Sequence, residues 1–197
     1  MPRSSTDLKI GITGTACLLF AFSLLILPLR WILAAFTAAI AHEAFHALAV
    51  LLCGGRLKSL IVGKEGAVMT ASPMTPGREL ICTLAGPLGS GLMILLLPWL
   101  PRVAFCSGIH FAYNLLPIYP LDGGRALRCA TGRLSPRLQR QVCLWIENIF
   151  LGGIFLAAGY LAFWVELGWT PLLLAAAVFL RAKSANSPCK ARDLRLQ

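Results

Sequence analysis

The chain has 197 residues, 57% hydrophobic and 13% charged, with a formal net charge of +10 and a mean hydropathy of +0.74. It is far more apolar than the roughly 45–50% of a soluble domain, which excludes a soluble fold and predicts an integral membrane protein. The positive charge does not point to nucleic acid, because the basic residues lie between apolar runs instead of forming one patch with interleaved aromatics.

Stretches of about 17–25 apolar residues mark membrane spans. Six candidates follow, at residues 10–29, 31–53, 80–100, 103–116, 142–165 and 170–180, the fourth and sixth being short. The expected fold class is an all-α polytopic membrane protein of about six transmembrane helices, with a small β-hairpin after the second. One domain is expected over residues 1–197, with its core motifs in 31–125. The first span is preceded by basic residues, as a signal peptide is, but it is too long for a typical signal h-region and is read as retained. Placing both termini in the cytoplasm leaves only Arg30 and Arg102 of the 18 Lys and Arg residues on the other side. That asymmetry follows the positive-inside rule and predicts a protein of the bacterial cytoplasmic membrane type. The cysteines, with no C-x-x-C pair among them, read as small buried hydrophobes and not as a disulfide framework.

The second span carries His42-Glu43-Ala44-Phe45-His46. Four residues at about 100° each return His46 to within about 40° of His42, so on a helix both imidazoles project from one face and can hold one metal. Glu43, about a quarter turn away, is placed to deprotonate a water instead of ligating. Idle ionisable groups are costly in hydrocarbon, which weighs against a fortuitous match on a buried helix.

After this helix, residues 57–62 and 67–71 flank Gly63-Lys64-Glu65-Gly66, a hairpin signal. An exposed strand there would capture an extended substrate at its edge; a plain cytoplasmic connector is the other reading. The third span contains Ala85-Gly86-Pro87-Leu88-Gly89-Ser90-Gly91, small residues that let helices approach closely.

The fourth span runs into Asn114-Leu115-Leu116-Pro117-Ile118-Tyr119-Pro120-Leu121-Asp122-Gly123-Gly124-Arg125. Two prolines three apart break a regular helix, and unwound backbone at membrane depth needs cover from protein or a wet cavity. Asp122 follows the break, with glycines that permit a sharp turn. It is the natural third ligand: two histidines, one carboxylate and a water make a tetrahedral zinc site with one open position. The alternative for Asp122 is a cap of the next turn. His42 and His46 lie roughly 10–16 Å from the cytoplasmic end of their helix, a depth that a broken fourth helix could reach. His110, one turn before Asn114, reads first as hydrogen-bonded packing. Glu147 in the fifth span is expected to snorkel to the cytoplasmic interface and is given no role. The tail, residues 182–197, is basic and is expected on the anionic cytoplasmic leaflet.

Together these motifs resemble the site-2 intramembrane metalloproteases, most closely the compact sporulation-type bacterial branch. The resemblance rests on His42-Glu43-Ala44-Phe45-His46 followed by the N-x-x-P-x-x-P-L-D-G-G run from Asn114 to Gly124, and covers roughly residues 31–125. It implies His42, His46 and Asp122 as ligands of one zinc ion per chain and Glu43 as the catalytic acid and base. It further implies that Asn114 positions the substrate or polarises its carbonyl. Gly86-Pro87 resembles the family's third-helix motif, and the chain departs from it with Ser90 where many relatives carry asparagine. The implied substrate is a membrane-spanning or membrane-tethered protein, in the sporulation branch a sigma-factor precursor. The implied partners are the lipid bilayer, that substrate and regulatory membrane proteins, with no nucleic acid. Only about 16 residues follow the last span, so no appended regulatory domain is expected. The competing function is a metal transporter using the His, His and Asp side chains for ion transit, which leaves Glu43 without a task.

Overall fold

A computed structural model describes residues 9–63, 66–166 and 168–185. The chain divides into two compact units, Met1–Ala112 and Tyr113–Gln197.

In the first unit, strand β1 (Lys9–Ile12) leads into helix α1 (Gly14–Ile26) and then helix α2 (Leu29–Leu52). Thr13 caps α1 by accepting the Ala16 N–H on its side-chain oxygen, and Pro28, which cannot continue a helix, separates α1 from α2. Strands β2 (Leu57–Gly63) and β3 (Gly66–Ala71) pair antiparallel with a register shift between Leu57 and Ser59. The expected hairpin is therefore present, although the residues of its turn, Lys64 and Glu65, lie outside the described ones. β1 adds to β2 in parallel, Lys9 opposite Ser59 and Ile12 opposite Val62, giving a three-stranded sheet in the order β1-β2-β3. Helix α3 (Pro76–Met93) continues through a short 3₁₀ turn at Ile94–Leu96. It packs on α2 through Ala49, Val50 and Cys82, backed by Met74 and Ala85. Helix α4 (Pro101–Asn114) carries the chain into the second unit.

There α4 ends three residues before Pro117, as the paired prolines require, and residues 115–121 form an irregular turn. Its backbone is held by Ile118 N–H donating to the Leu116 carbonyl and Leu121 N–H to that of Ile118. The nine-residue helix α5 (Asp122–Ala130) follows, then α6 (Pro136–Phe163) and α7 (Thr170–Ala185). The unit's core is formed by Ile118, Leu121, Leu151 and Ala182, with Tyr113, Leu116, Ile154 and Val178 against it.

Among the described residues, three helical stretches are long and apolar enough to cross a membrane: Leu29–Leu52, Pro76–Leu96 and Pro136–Phe163. They match the second, third and fifth candidates from sequence. The first candidate differs from expectation, because residues 9–12 belong to the sheet and α1 keeps 13 residues, about 20 Å against a hydrocarbon thickness of about 30 Å. Its side chains are nonetheless apolar and outward, Leu18, Phe22 and Leu25 all exposed, a surface that lipid satisfies and water does not. Most of the basic tail lies outside the described residues.

Candidate metal centre

In the first unit, α2 delivers His42 and His46 to one face, as their spacing requires. Their Nε2 atoms are 3.3 Å apart, and the rings meet edge to face, with centroids 4.8 Å apart at 85°. Each ring is oriented from α3. His46 Nδ1 lies 2.7 Å from the carbonyl oxygen of Cys82; a carbonyl only accepts, so the proton of neutral His46 sits on Nδ1 and Nε2 presents a lone pair. His42, which is buried, places Nδ1 2.9 Å from the Ser90 hydroxyl. Two Nε2 atoms converge while both Nδ1 atoms are engaged. That is how a metal-binding histidine pair is held, with the outer hydrogen bond fixing tautomer and ring angle.

The small residues of α3 explain how it comes this close. A Cβ at Gly86 would overlap the His46 imidazole at Nε2, and one at Gly89 would overlap the Phe45 ring. Glycine at both positions lets α3 lie directly on the histidine face of α2. Ser90 is 0% exposed, so its hydroxyl has no solvent to satisfy it and the bond to His42 is an obligatory one. Glu43, next to His42, is half-buried. The ring of His110 on α4 lies with its centroid 5.7 Å from that of His42, so it stands beside the histidine pair and is not remote packing.

In the second unit, Asp122 is the first residue of α5 and is 8% exposed. The helix N-terminus favours its negative charge. Asn114, the last residue of α4, is half-buried. The glycines after Asp122 serve a purpose other than the one expected. Neither takes a positive φ, a conformation confined among described glycines to Gly54 and Gly168. A Cβ at Gly123 would instead meet the Leu115 and Leu116 carbonyls, and one at Gly124 the backbone of Ile118 and Tyr119. They allow α5 to lie flat on the turn that precedes it. Glu147 also departs from expectation. It does not snorkel but is 3% exposed, accepting the Tyr119 N–H at 3.0 Å and facing Arg128 Nη2 at 3.5 Å.

Neither Ser90 nor the Cys82 carbonyl is among the site residues expected from sequence. Gly86, Gly89 and Ser90, spaced three and four apart in residues 85–91, were the signal for the first; a backbone carbonyl carries no residue signature.

The M50B-like peptidase family model matches residues 15–115, just over half of the chain. By structure, the chain is similar to the site-2 protease from Methanocaldococcus jannaschii, with a TM-score of 0.64 and 19% sequence identity over 91% of each chain. No curated protein matches it by sequence. The chain therefore belongs to the M50B-like peptidases, and its fold is that of a site-2 protease.

Proposed function

We propose that the protein is an intramembrane zinc metalloprotease that hydrolyses a peptide bond in a membrane-spanning or membrane-tethered protein. The observation that carries this reading is the His42 and His46 pair, with Nε2 atoms 3.3 Å apart and both Nδ1 atoms engaged from α3. The donor set fits zinc. Two imidazole nitrogens and one carboxylate, that of Asp122, are the ligand types of a catalytic zinc site, and a set of three would leave a fourth tetrahedral position open. One ion per chain is the stoichiometry this set implies.

When bound, zinc supplies a Lewis acid that polarises a carbonyl and brings the acidity of water toward neutral pH. The remaining chemistry belongs to the side chains. Glu43, one residue from His42 and outside the ligand set, takes the proton of the attacking water on its carboxylate and returns it to the leaving amine nitrogen. Asn114 holds the scissile carbonyl by its side-chain amide. The Cys82 carbonyl, which only accepts, leaves the lone pair of neutral His46 on Nε2, and the Ser90 hydroxyl orients the His42 ring.

The finer features of this reading are six membrane crossings in one domain, both termini cytoplasmic, and β3 pairing an extended substrate at the sheet edge. They are supported by the apolar helices, the distribution of basic residues and the exposed strand. A membrane-associated sigma-factor precursor is the substrate implied by the sporulation-type resemblance. Metal transit would require no acid at Glu43.

The test is co-expression with single-pass membrane substrates, comparing wild type with Glu43→Gln. The variant is expected to retain zinc and to lose cleavage by about 10²–10⁴-fold. Full cleavage by the variant would remove the protease assignment.

A further inference from the structure

Glu147 is the only carboxylate of α6, and it sits in an apolar helix with almost no exposed surface. Such a group persists only where partners offset its desolvation. Its partners are specific. Glu147 Oε1 accepts the backbone N–H of Tyr119 at 3.0 Å, and Arg128 brings Nη2 to within 3.5 Å of the same oxygen. The Arg128 guanidinium also stacks on the Tyr119 ring, 3.7 Å from its centroid, a cation–π contact. Tyr119 is thus gripped by its backbone from α6 and by its ring from α5. One turn further along α6, Leu151 packs in the core with Ile118 and Leu121, so the helix holds the 115–121 turn at two successive positions, one polar and one apolar. The first turn of α5 rests on that same stretch, since Gly124 lies against the Ile118 and Tyr119 backbone. Asp122 sits between the held turn and the helix that lies on it.

We propose that Glu147 is a positioning residue. By fixing the Tyr119 N–H and the Arg128 side chain, it sets the turn from which Asp122 projects toward a metal ion. This rests on the reading of Asp122 as a zinc ligand given above. Glu147 touches neither metal nor substrate and acts through Tyr119.

Two variants separate this role from a merely structural one. Glu147→Gln keeps a carbonyl oxygen able to accept the Tyr119 N–H, whereas Glu147→Ala removes it. Full-length protein in detergent is titrated with zinc against a chelating competitor, and backbone hydrogen exchange is followed over residues 115–121 in the metal-free protein. Glu147→Ala is expected to weaken zinc binding by about 10–100-fold, the range seen when outer-shell partners are lost, and to speed exchange at Tyr119. Glu147→Gln should stay within about threefold of wild type in affinity, with Tyr119 still protected. Wild-type behaviour of the alanine variant in either measurement overturns the proposal, as does a glutamine variant as impaired as alanine. A wild-type chain that takes up no zinc overturns the metal reading instead, and the exchange rates alone then decide whether Glu147 holds the turn.

Discussion

His46 donates from Nδ1 to the carbonyl oxygen of Cys82 across 2.7 Å, and this single bond decides which nitrogen of the ring is available to a metal. The carbonyl can accept this bond because α3 packs tightly on α2, and Gly86 is what permits that approach. Gly86→Ala should therefore act on the histidine before it acts on the fold. Its Cβ would overlap the ring at Nε2, and relieving the overlap tilts the imidazole off its hydrogen bond. The expected cost is about 1–3 kcal/mol of stability, together with a loss of bound zinc larger than that destabilisation alone produces. Zinc stoichiometry by atomic absorption, read beside the melting temperature, checks this. Full zinc occupancy in a folded Gly86→Ala protein would contradict it.

Ser90 orients the other ring, its hydroxyl lying 2.9 Å from His42 Nδ1. Ser90→Ala removes the hydroxyl and leaves His42 Nδ1 facing a methyl group in a buried site. An outer hydrogen bond of this kind contributes about 10–100-fold in metal affinity, so the alanine variant should bind zinc more weakly by that range. Ser90→Asn, which restores a polar group able to pair with Nδ1, should recover part of the loss. Competition titrations on the three proteins decide the point, and equal affinities would show that the bond does not orient the ligand.

These two supports also show where sequence stops being informative. His42 and His46 were legible because helical periodicity alone puts residues four apart on one face. The broken segment before Asp122 was legible because Pro117 and Pro120 leave the backbone no helical alternative. The Cys82 carbonyl was not, since every residue has one. Strand β1 was hidden for a related reason: Lys9-Ile10-Gly11-Ile12 merges into the apolar run that follows, and its partner β2 lies about 50 residues away, beyond any local pattern. The burial of Glu147 is not legible in sequence, because snorkelling and burial are told apart by what packs around the carboxylate, here Tyr119 and Arg128. Gly123 and Gly124 are expected to permit a sharp turn, and neither takes the positive φ that such a turn can use. Their purpose is proximity of backbone to backbone, which composition cannot distinguish from a left-handed turn.

Asp122 differs from the histidines in charge, and its removal should have a distinct signature. Asp122→Ala deletes a proposed ligand and the one negative charge of the proposed His, His and Asp set. Zinc content should fall well below one ion per chain, and excess zinc should restore it only in part. Stripping the wild-type protein with a chelator should abolish cleavage reversibly, with zinc returning activity to wild type but not to Asp122→Ala. Unchanged zinc stoichiometry in that variant would exclude Asp122 as a ligand.

Gly124 provides a test of the second unit that leaves every proposed ligand in place. A Cβ there would meet the backbone of Ile118 and Tyr119, and neither of those can move as the end of a flexible side chain does. Gly124→Ala must push α5 away from the turn or displace the turn itself, at about 1–3 kcal/mol. Either movement shifts the first residue of α5, which is Asp122. Gly153→Ala on α6 is the matched control, since nothing lies within 4 Å of a Cβ there and alanine favours a helix over glycine by roughly 0.8–1 kcal/mol. The control should therefore melt at or above the wild-type temperature with unchanged zinc affinity, while Gly124→Ala melts lower and binds zinc more weakly. If both variants bind zinc alike, the close approach of α5 to residues 118–119 is unrelated to how Asp122 is placed.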